Sequence, residues 1–519
     1  MGKTTLAKRV YEKKAVVNYF DKRAWCTVSQ EYDCKDLLCK IYNQVCGKET
    51  EIDSVAEELR KKLMGMRYLI VLDDIWSVEA WEELNRVFPE CDNGSRIVLT
   101  SRQESVISDA KHICLPFFTI DESWELLQVK LFKGKECPKE LESIGKEISK
   151  KCGGLPLVVG LVVGLLGGVE KSEQMWQEVL NTLSSHVAFR GGIQSNNAIE
   201  LSYNHLPAHL RPCLLYFAAI PEDAEFVASK LINLWISEGF IDIIEKERVE
   251  DVARDCLNHL VGSNLVMVFR REYDGRILSC GVHDLVRDFC LTKVKDENFL
   301  HIIKMENMLD PTLELTPHRI SFHRYSAQHE FPNELVPWNS SIRTLLGFRN
   351  IDTPDVRYIY NGSWLANKFE HLTILDLEFI LVDKSIMFEI TLSSSAISII
   401  AQLSKLEALT LSRCWFDEGL EWNVDEETQF CKLKYLELFA LNGTRIWNVS
   451  NAVESFPCLE QLILDNCYKL EGLSYSFADI STLKLISVVD CPRVNSSVKE
   501  IQEELQNMGN EQLTVHIHW

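Results

Sequence analysis

Residues 68–74 read Tyr68-Leu69-Ile70-Val71-Leu72-Asp73-Asp74. Five apolar or aromatic residues in a row, stopped by two aspartates, are too short for a helix and lack the alternation of a half-exposed strand. They read as a strand buried on both faces that delivers two carboxylates at its C-terminal end. Around it, the first ~130 residues alternate helical patterns (Leu6 to Lys14, Lys35 to Val45) with strand-like runs (Arg23 to Val28, Arg96 to Leu99). That alternation predicts an α/β domain with a parallel sheet covered on both sides.

Upstream of this strand stands Met1-Gly2-Lys3-Thr4-Thr5. It matches the second half of a P-loop, G-x-x-x-x-G-K-[ST], in which backbone N–H groups cradle phosphates. In such a loop Lys3 reaches the β- and γ-phosphates and the Thr4 hydroxyl binds magnesium, with Gly2 and Thr5 completing the nucleotide-binding set. GKTT alone is weak and reads equally well as a flexible basic terminus. Followed by a buried strand ending in Asp73-Asp74, it becomes specific. Asp73 is then expected to hold Mg through water, and Asp74 to polarise or position an attacking water, the catalytic role if there is one.

The chain has 519 residues, a hydrophobic fraction of 46% and a charged fraction of 25%. This is an ordinary folded composition spread over several domains. The formal net charge of −21 disfavours nucleic-acid binding and anionic membranes. Seventeen cysteines without a CxxC pair fit a reducing compartment rather than a disulfide framework or a zinc site. Cys26, Cys34, Cys39 and Cys46 have no spacing that suggests a site. No signal-peptide core is found, so the five N-x-S/T sequons of the C-terminal half, at Asn339, Asn361, Asn442, Asn448 and Asn495, read as chance. The longest apolar stretch, Leu155 to Val169, is short of the roughly 20 residues a membrane span needs and is predicted to be a buried helix. His516-Ile517-His518 would put two histidines on one strand face, too few ligands for a metal site.

From about 131 to 300 the pattern is mostly helical, and 301–340, with four prolines, reads as a junction. Beyond it the chain repeats LxxLxL from Leu372, Leu406, Leu433, Leu459 and, degenerately, Leu483, with a weaker copy at Ile342 to Leu345. Cys414, Cys467 and Cys491 follow three of these segments at one phase, the L-x-L-x-x-N/C core of a leucine-rich repeat, which makes those cysteines structural.

Ordered motifs cover nearly the whole chain: GKTTLAKRVY at 2–11, FDKRAWCTVSQ at 20–30, YLIVLDDIW at 68–76, NGSRIVLTSR at 93–102, CGGLPLVV at 152–159, CLLYFAAIPED at 213–223, LINLWISEGFI at 231–241 and VHDLVRDF at 282–289. Together they resemble the NB-ARC proteins, the plant nucleotide-binding leucine-rich-repeat disease resistance proteins. Trp76 after the double aspartate points to the non-TIR, coiled-coil class. The resemblance implies an α/β P-loop domain over 1–130, a helical domain (ARC1) over 131–205, a winged-helix domain (ARC2) over 206–300, a linker over 301–340 and leucine-rich repeats, an α/β solenoid, over 341–519. It implies that Arg102 reads the γ-phosphate, Pro156 lies against the adenine and His283 holds the β-phosphate of ADP. Trp235 and Phe240 are expected to be packing residues.

The function so implied is an intracellular immune receptor switched by ADP and ATP with Mg. Its repeats serve recognition and self-restraint, and ATP hydrolysis is at most a slow reset. Expected partners are a pathogen effector or a guarded host protein, contacts between the NB-ARC region and the repeats, and further copies on activation. The expected compartment is the cytoplasm or the inner face of the plasma membrane. The family pattern also has a strand and half-loop before Gly2 and a signalling domain. The chain as written is therefore expected to bind nucleotide poorly, to leave two strands unpaired beside the missing one, and not to signal alone. A motor-type ATPase and a passive repeat scaffold with a decayed nucleotide domain are the competing classes.

Overall fold

In the computed structural model, the described residues are 2–28, 32, 34–46, 54–89, 93–101, 111, 113–185, 193–222, 224–241, 248–272, 274–304, 318–323, 341–348, 358–360, 370–377, 390–392, 394–412, 414–416, 421–424, 428–441, 444–507 and 513–518. Their buried apolar side chains form three clusters, one in the first ~90 residues, one in the helical region with a few strand residues, and one among the C-terminal strands.

The first cluster is built on a parallel sheet of Lys22–Thr27, Tyr68–Asp73 and Arg96–Leu99, in that order. All six residues of Tyr68–Asp73 are buried, which is why this strand takes the centre. Cys34–Cys46, Val55–Leu63 and Val78–Asn85 pack their apolar stripes against it. The expected pair of unpaired neighbours is not found. Tyr68–Asp73 is hydrogen-bonded on both sides, and each outer strand keeps one edge without a strand partner among the described residues. The sequence order of the runs does not tell which of them are neighbours in the sheet. The helix Lys3–Tyr11 lies near the Tyr68–Asp73 strand but buries none of its residues.

The second cluster begins with Ile120–Phe132, opened by a capping box between Thr119 and Glu122, then Lys139–Lys151. Leu155 to Val169 contains the expected buried helix, Pro156–Gly167, with proline at the start, where an N–H would have no partner within the helix. No helix among the described residues is long and apolar enough to cross a membrane. This helix carries glycines at 160 and 164, and at Gly164 it touches the backbone of Ser263: a Cβ there would lie 2.5 Å from the Ser263 carbonyl oxygen. That close approach seats the later part of the region on the earlier part. The later part is a small antiparallel sheet, Phe226–Val227, Ile277–Gly281 and Met267–Arg271, packed with Ala228–Ser237, Val249–Gly262 and Asp284–Asp296. Trp235 is fully buried in it, and Phe240 packs against Tyr216 and Phe299, so both are packing residues.

The third cluster lies behind a nine-stranded parallel sheet. Its order, from one edge, is Thr514–His518, Leu485–Val489, Gln461–Asp465, Tyr435–Phe439, Ala408–Ser412, Ile374–Leu377, Thr344–Phe348, Arg319–His323 and His301–Lys304. The LxxLxL segments stack in register, Leu375 beside Leu409, Leu436, Leu462 and Ile486 in turn, and these residues are buried in the cluster. Cys467 and Cys491 are buried one repeat apart, with the Cys467 amide donating to the Cys491 Sγ at 3.2 Å. Cys414 instead opens a short strand, Cys414–Phe416, in a separate three-stranded sheet. The segment read as a linker, 301–340, is not one throughout: His301–Lys304 and Arg319–His323 are two strands of the nine-stranded sheet. They are short, and Ile303 and Ile320 are buried in the cluster behind the sheet. His516, half-buried, stands on Thr514–His518. Among the described residues no group of three or more His, Cys, Asp or Glu side chains could hold a metal ion.

Candidate functional site

The C-terminal end of a parallel strand is where an α/β sheet presents its chemistry. Here Tyr68–Asp73 ends at a buried carboxylate and Asp74 follows with φ +58°. That left-handed turn carries the chain off the sheet. It is held by the next strand: the Asp74 amide donates to the Thr100 hydroxyl at 2.8 Å, and the Ile75 amide to the Thr100 carbonyl at 2.8 Å.

Thr100 also donates its hydroxyl to Asp73 Oδ1 at 2.5 Å. The same oxygen accepts from the Thr4 hydroxyl at 3.1 Å. Lys3 extends from the start of its helix and donates Nζ to the Ser101 carbonyl at 2.5 Å, while Ser101 donates its hydroxyl to the Ile75 carbonyl at 2.7 Å. Gly2, at φ +78°, is the N-cap residue of that helix, and Thr5 is exposed in its first turn. Residues 69 positions apart in sequence thus meet at one strand end.

Burial pushes the Asp73 carboxyl above its ordinary value; the hydroxyls of Thr100 and Thr4 pull it down, the negative charge of Asp284 pushes it up, and Lys3 pulls it down. The influence of Asp284 places the start of the Asp284–Asp296 helix within electrostatic reach of Asp73, more than two hundred residues earlier in the chain. His283 caps that helix, its Nδ1 accepting from the Leu285 amide at 3.2 Å. Nδ1 is therefore unprotonated in neutral His283, and Nε2 carries the hydrogen.

Pro156 opens its helix beside Gly154, which packs on the backbone of Phe118. Arg102 lies outside the described residues. Thr100 is the functional residue that the sequence reading passed over. It stands in plain view at the end of the Arg96–Leu99 run, but only pairing with Tyr68–Asp73 makes it the common partner of Asp73 and Asp74. Thr100→Val should leave a buried carboxylate short of one donor and remove the side-chain acceptor of the Asp74 amide. The expected loss is on the order of 2–3 kcal/mol in urea unfolding of the N-terminal domain, with Thr100→Ser close to wild type.

The donor set fits the groups that the motif implies. Thr4 and Asp73 offer two hard oxygens converging on one point. That suits Mg, which takes one or two protein oxygens and fills its octahedron with water and phosphate. The Lys3 ammonium and the N-terminus of its helix supply positive potential beside them.

The NB-ARC domain profile matches residues 1–137, and the disease resistance protein winged helix domain profile matches residues 220–290. One putative late blight resistance protein homolog of Solanum demissum is 40% identical over 398 residues, 73% of this chain and 30% of its own length. A second such homolog from the same plant is 37% identical over 441 residues, 80% of this chain and 33% of its own. A late blight resistance protein, also from Solanum demissum, is 38% identical over 399 residues, 73% of this chain and 30% of its own. The chain thus spans about a third of the length of these relatives. Among solved structures, the Aeropyrum pernix ORC1 protein in complex with DNA aligns with 56% of this chain and 84% of its own at a TM-score of 0.25 and 13% identity, a likeness too weak to carry an argument. This chain carries an NB-ARC domain and the winged-helix domain of disease resistance proteins, and over most of its length it is a homologue of the late blight resistance proteins.

Proposed function

We propose that the protein is an intracellular immune receptor whose state is set by bound ADP or ATP. The observation that carries this reading is the meeting of Lys3, Thr4 and Asp73 at one strand end, within electrostatic reach of Asp284 on the winged-helix side. A ligand seated there would touch two domains at once, and only a ligand with different affinities for two domain arrangements can shift them.

In this reading Gly2, Lys3, Thr4 and Thr5 bind phosphates, and Thr4 with Asp73 holds Mg through water. Asp74 positions the water that slowly resets the switch. Arg102 reads the γ-phosphate, Pro156 lies against the base and His283 donates Nε2–H to the β-phosphate of ADP. The domains run as 1–130, 131–205, 206–300 and, after a junction, 341–519. The nine-stranded sheet with its in-register leucines is a leucine-rich-repeat coil, which provides a surface for a pathogen effector or a guarded host protein and holds the switch closed. The working compartment is the cytoplasm or the inner face of the plasma membrane, with assembly into oligomers on activation.

The test is the nucleotide carried by the purified protein, released by denaturation and quantified by chromatography. ADP near one per chain, at least about tenfold lower in Lys3→Ala at equal folding, supports the switch. Equal ADP in both overturns the role of Lys3. A second reading, a passive repeat scaffold, has one observation in its favour: the helix carrying Lys3 and Thr4 buries none of its residues, and Leu6 and Val10 are 47% and 46% exposed. No nucleotide in a chain whose repeats are folded would favour that reading.

A further inference from the structure

Where the winged-helix region meets the inner face of the nine-stranded sheet, the contact is polar at its centre. Lys230, on Ala228–Ser237, is 4% exposed and reaches Asp376 on Ile374–Leu377, which is 1% exposed, with Nζ 2.8 Å from Oδ2. Asp376, Thr410 and Glu437 occupy one register position on three adjacent strands. Glu437, half-buried, accepts on Oε2 from the Tyr435 hydroxyl at 2.8 Å and the Thr410 hydroxyl at 3.3 Å. The Lys230 charge acts on both carboxylates, and the charge of Asp376 acts on Glu437.

One ammonium thus serves two acidic groups that lose most of their water when the two regions come together. An enclosed cluster with excess negative charge is unfavourable, and keeping one proton is the smallest change that relieves it. We propose that seating the winged-helix region on the sheet takes up one proton, on Asp376 or Glu437, so that this contact loosens as pH rises. The inference does not depend on nucleotide binding.

The direction of titration agrees. Burial pushes Asp376 up from its ordinary value, with Lys230 opposing. Burial likewise pushes Glu437 up, with Lys230 and the Tyr435 and Thr410 hydroxyls opposing and Asp376 adding to it. A carboxyl raised in the seated state contributes its stabilisation below its ordinary pKa and loses it as pH climbs through the raised value. The relevant window therefore lies above the ordinary glutamate value of 4.5.

Other ionisable groups surround the cluster. Tyr216 is buried on the winged-helix side and feels Asp376, Glu238 and Arg319. Glu238 is paired with Arg319 at 2.7 Å, and Glu250 accepts from Gln461 at 3.0 Å. His323 is buried with Nε2 2.7 Å from the Ala219 carbonyl. These groups are common to wild type and to the variants below, so the difference between them isolates Asp376 and Glu437.

The experiment is hydrogen–deuterium exchange of the whole chain between about pH 5 and 8, corrected for the intrinsic pH dependence of exchange and read on peptides covering 228–237. The wild-type opening constant should rise by up to about tenfold per pH unit over part of this range, the limit for one proton. Glu437→Gln copies the protonated acid and should cut that rise to less than about twofold while keeping the region protected at about pH 8. Asp376→Asn leaves one carboxylate for one ammonium and should flatten the profile in the same way, which keeps the test open if one variant folds badly. A wild-type profile that is already flat, or one that both variants retain, would overturn the proposal.

Discussion

Lys230→Met is expected to destabilise the contact between the winged-helix region and the nine-stranded sheet by about 3–5 kcal/mol at neutral pH, the usual consequence of removing one member of a buried ion pair. Asp376, 1% exposed, would keep its burial and lose the ammonium 2.8 Å away. The remaining carboxylates can be made neutral by protonation, so the deficit should shrink as pH falls through their raised values and be largest above about pH 7. Urea titrations at about pH 5.5 and about pH 7.5 would check both size and sign. The double variant Lys230→Met/Asp376→Leu removes both charges and should regain most of the loss. If the single and double variants were equally unstable, packing rather than charge would be what Lys230 supplies.

Trp235→Ala should be comparably severe, at about 3–5 kcal/mol. The side chain is 0% exposed and sits edge-on to Phe217, with ring centroids 6.3 Å apart. Truncation opens a large void between Ala228–Ser237 and the segment Tyr216–Ala219, whose Ala219 carbonyl accepts from Ser321 and from His323 on the sheet. Damage there should therefore spread to the sheet contact. Trp235→Phe gives a sharper comparison. The indole N–H is buried without a hydrogen-bond partner among the described residues, so losing it removes an uncompensated polar burial. The phenylalanine variant should lie within about 1.5 kcal/mol of wild type. Thermal unfolding followed by tryptophan fluorescence and circular dichroism would separate the two. Equal losses in both variants would show that the site has no room to repack around a smaller ring.

Much of the N-terminal architecture is legible in the sequence. The run Tyr68 to Leu72 is continuous and apolar, and it is the buried central strand. Lys3 and Thr4 are legible because their spacing follows a backbone loop, and Thr4 does meet Asp73. The LxxLxL phase is legible because side chains on a strand alternate, which sends Leu409 and Leu411, or Leu462 and Leu464, into the same core. Residues 301–304 and 319–323 read as linker because four prolines surround them, although Ile320 takes the register position of Leu345 and is buried like it.

The sequence by itself determined the main strands and several helices of the first ~130 residues, that GKTT precedes a carboxylate-ended strand, and that leucines recur at a repeat period. These are local properties, set by the periodicity of side chains and by short motifs whose atoms are neighbours along the chain. Tertiary structure alone decided that Thr100 joins Asp73 to the Asp74 amide, that the charge of Asp284 reaches Asp73, and that Lys230 finds Asp376. Each of these depends on the order in which strands pair or on how one region seats on another. That order is settled by burying whole faces together, and no window of sequence contains both partners.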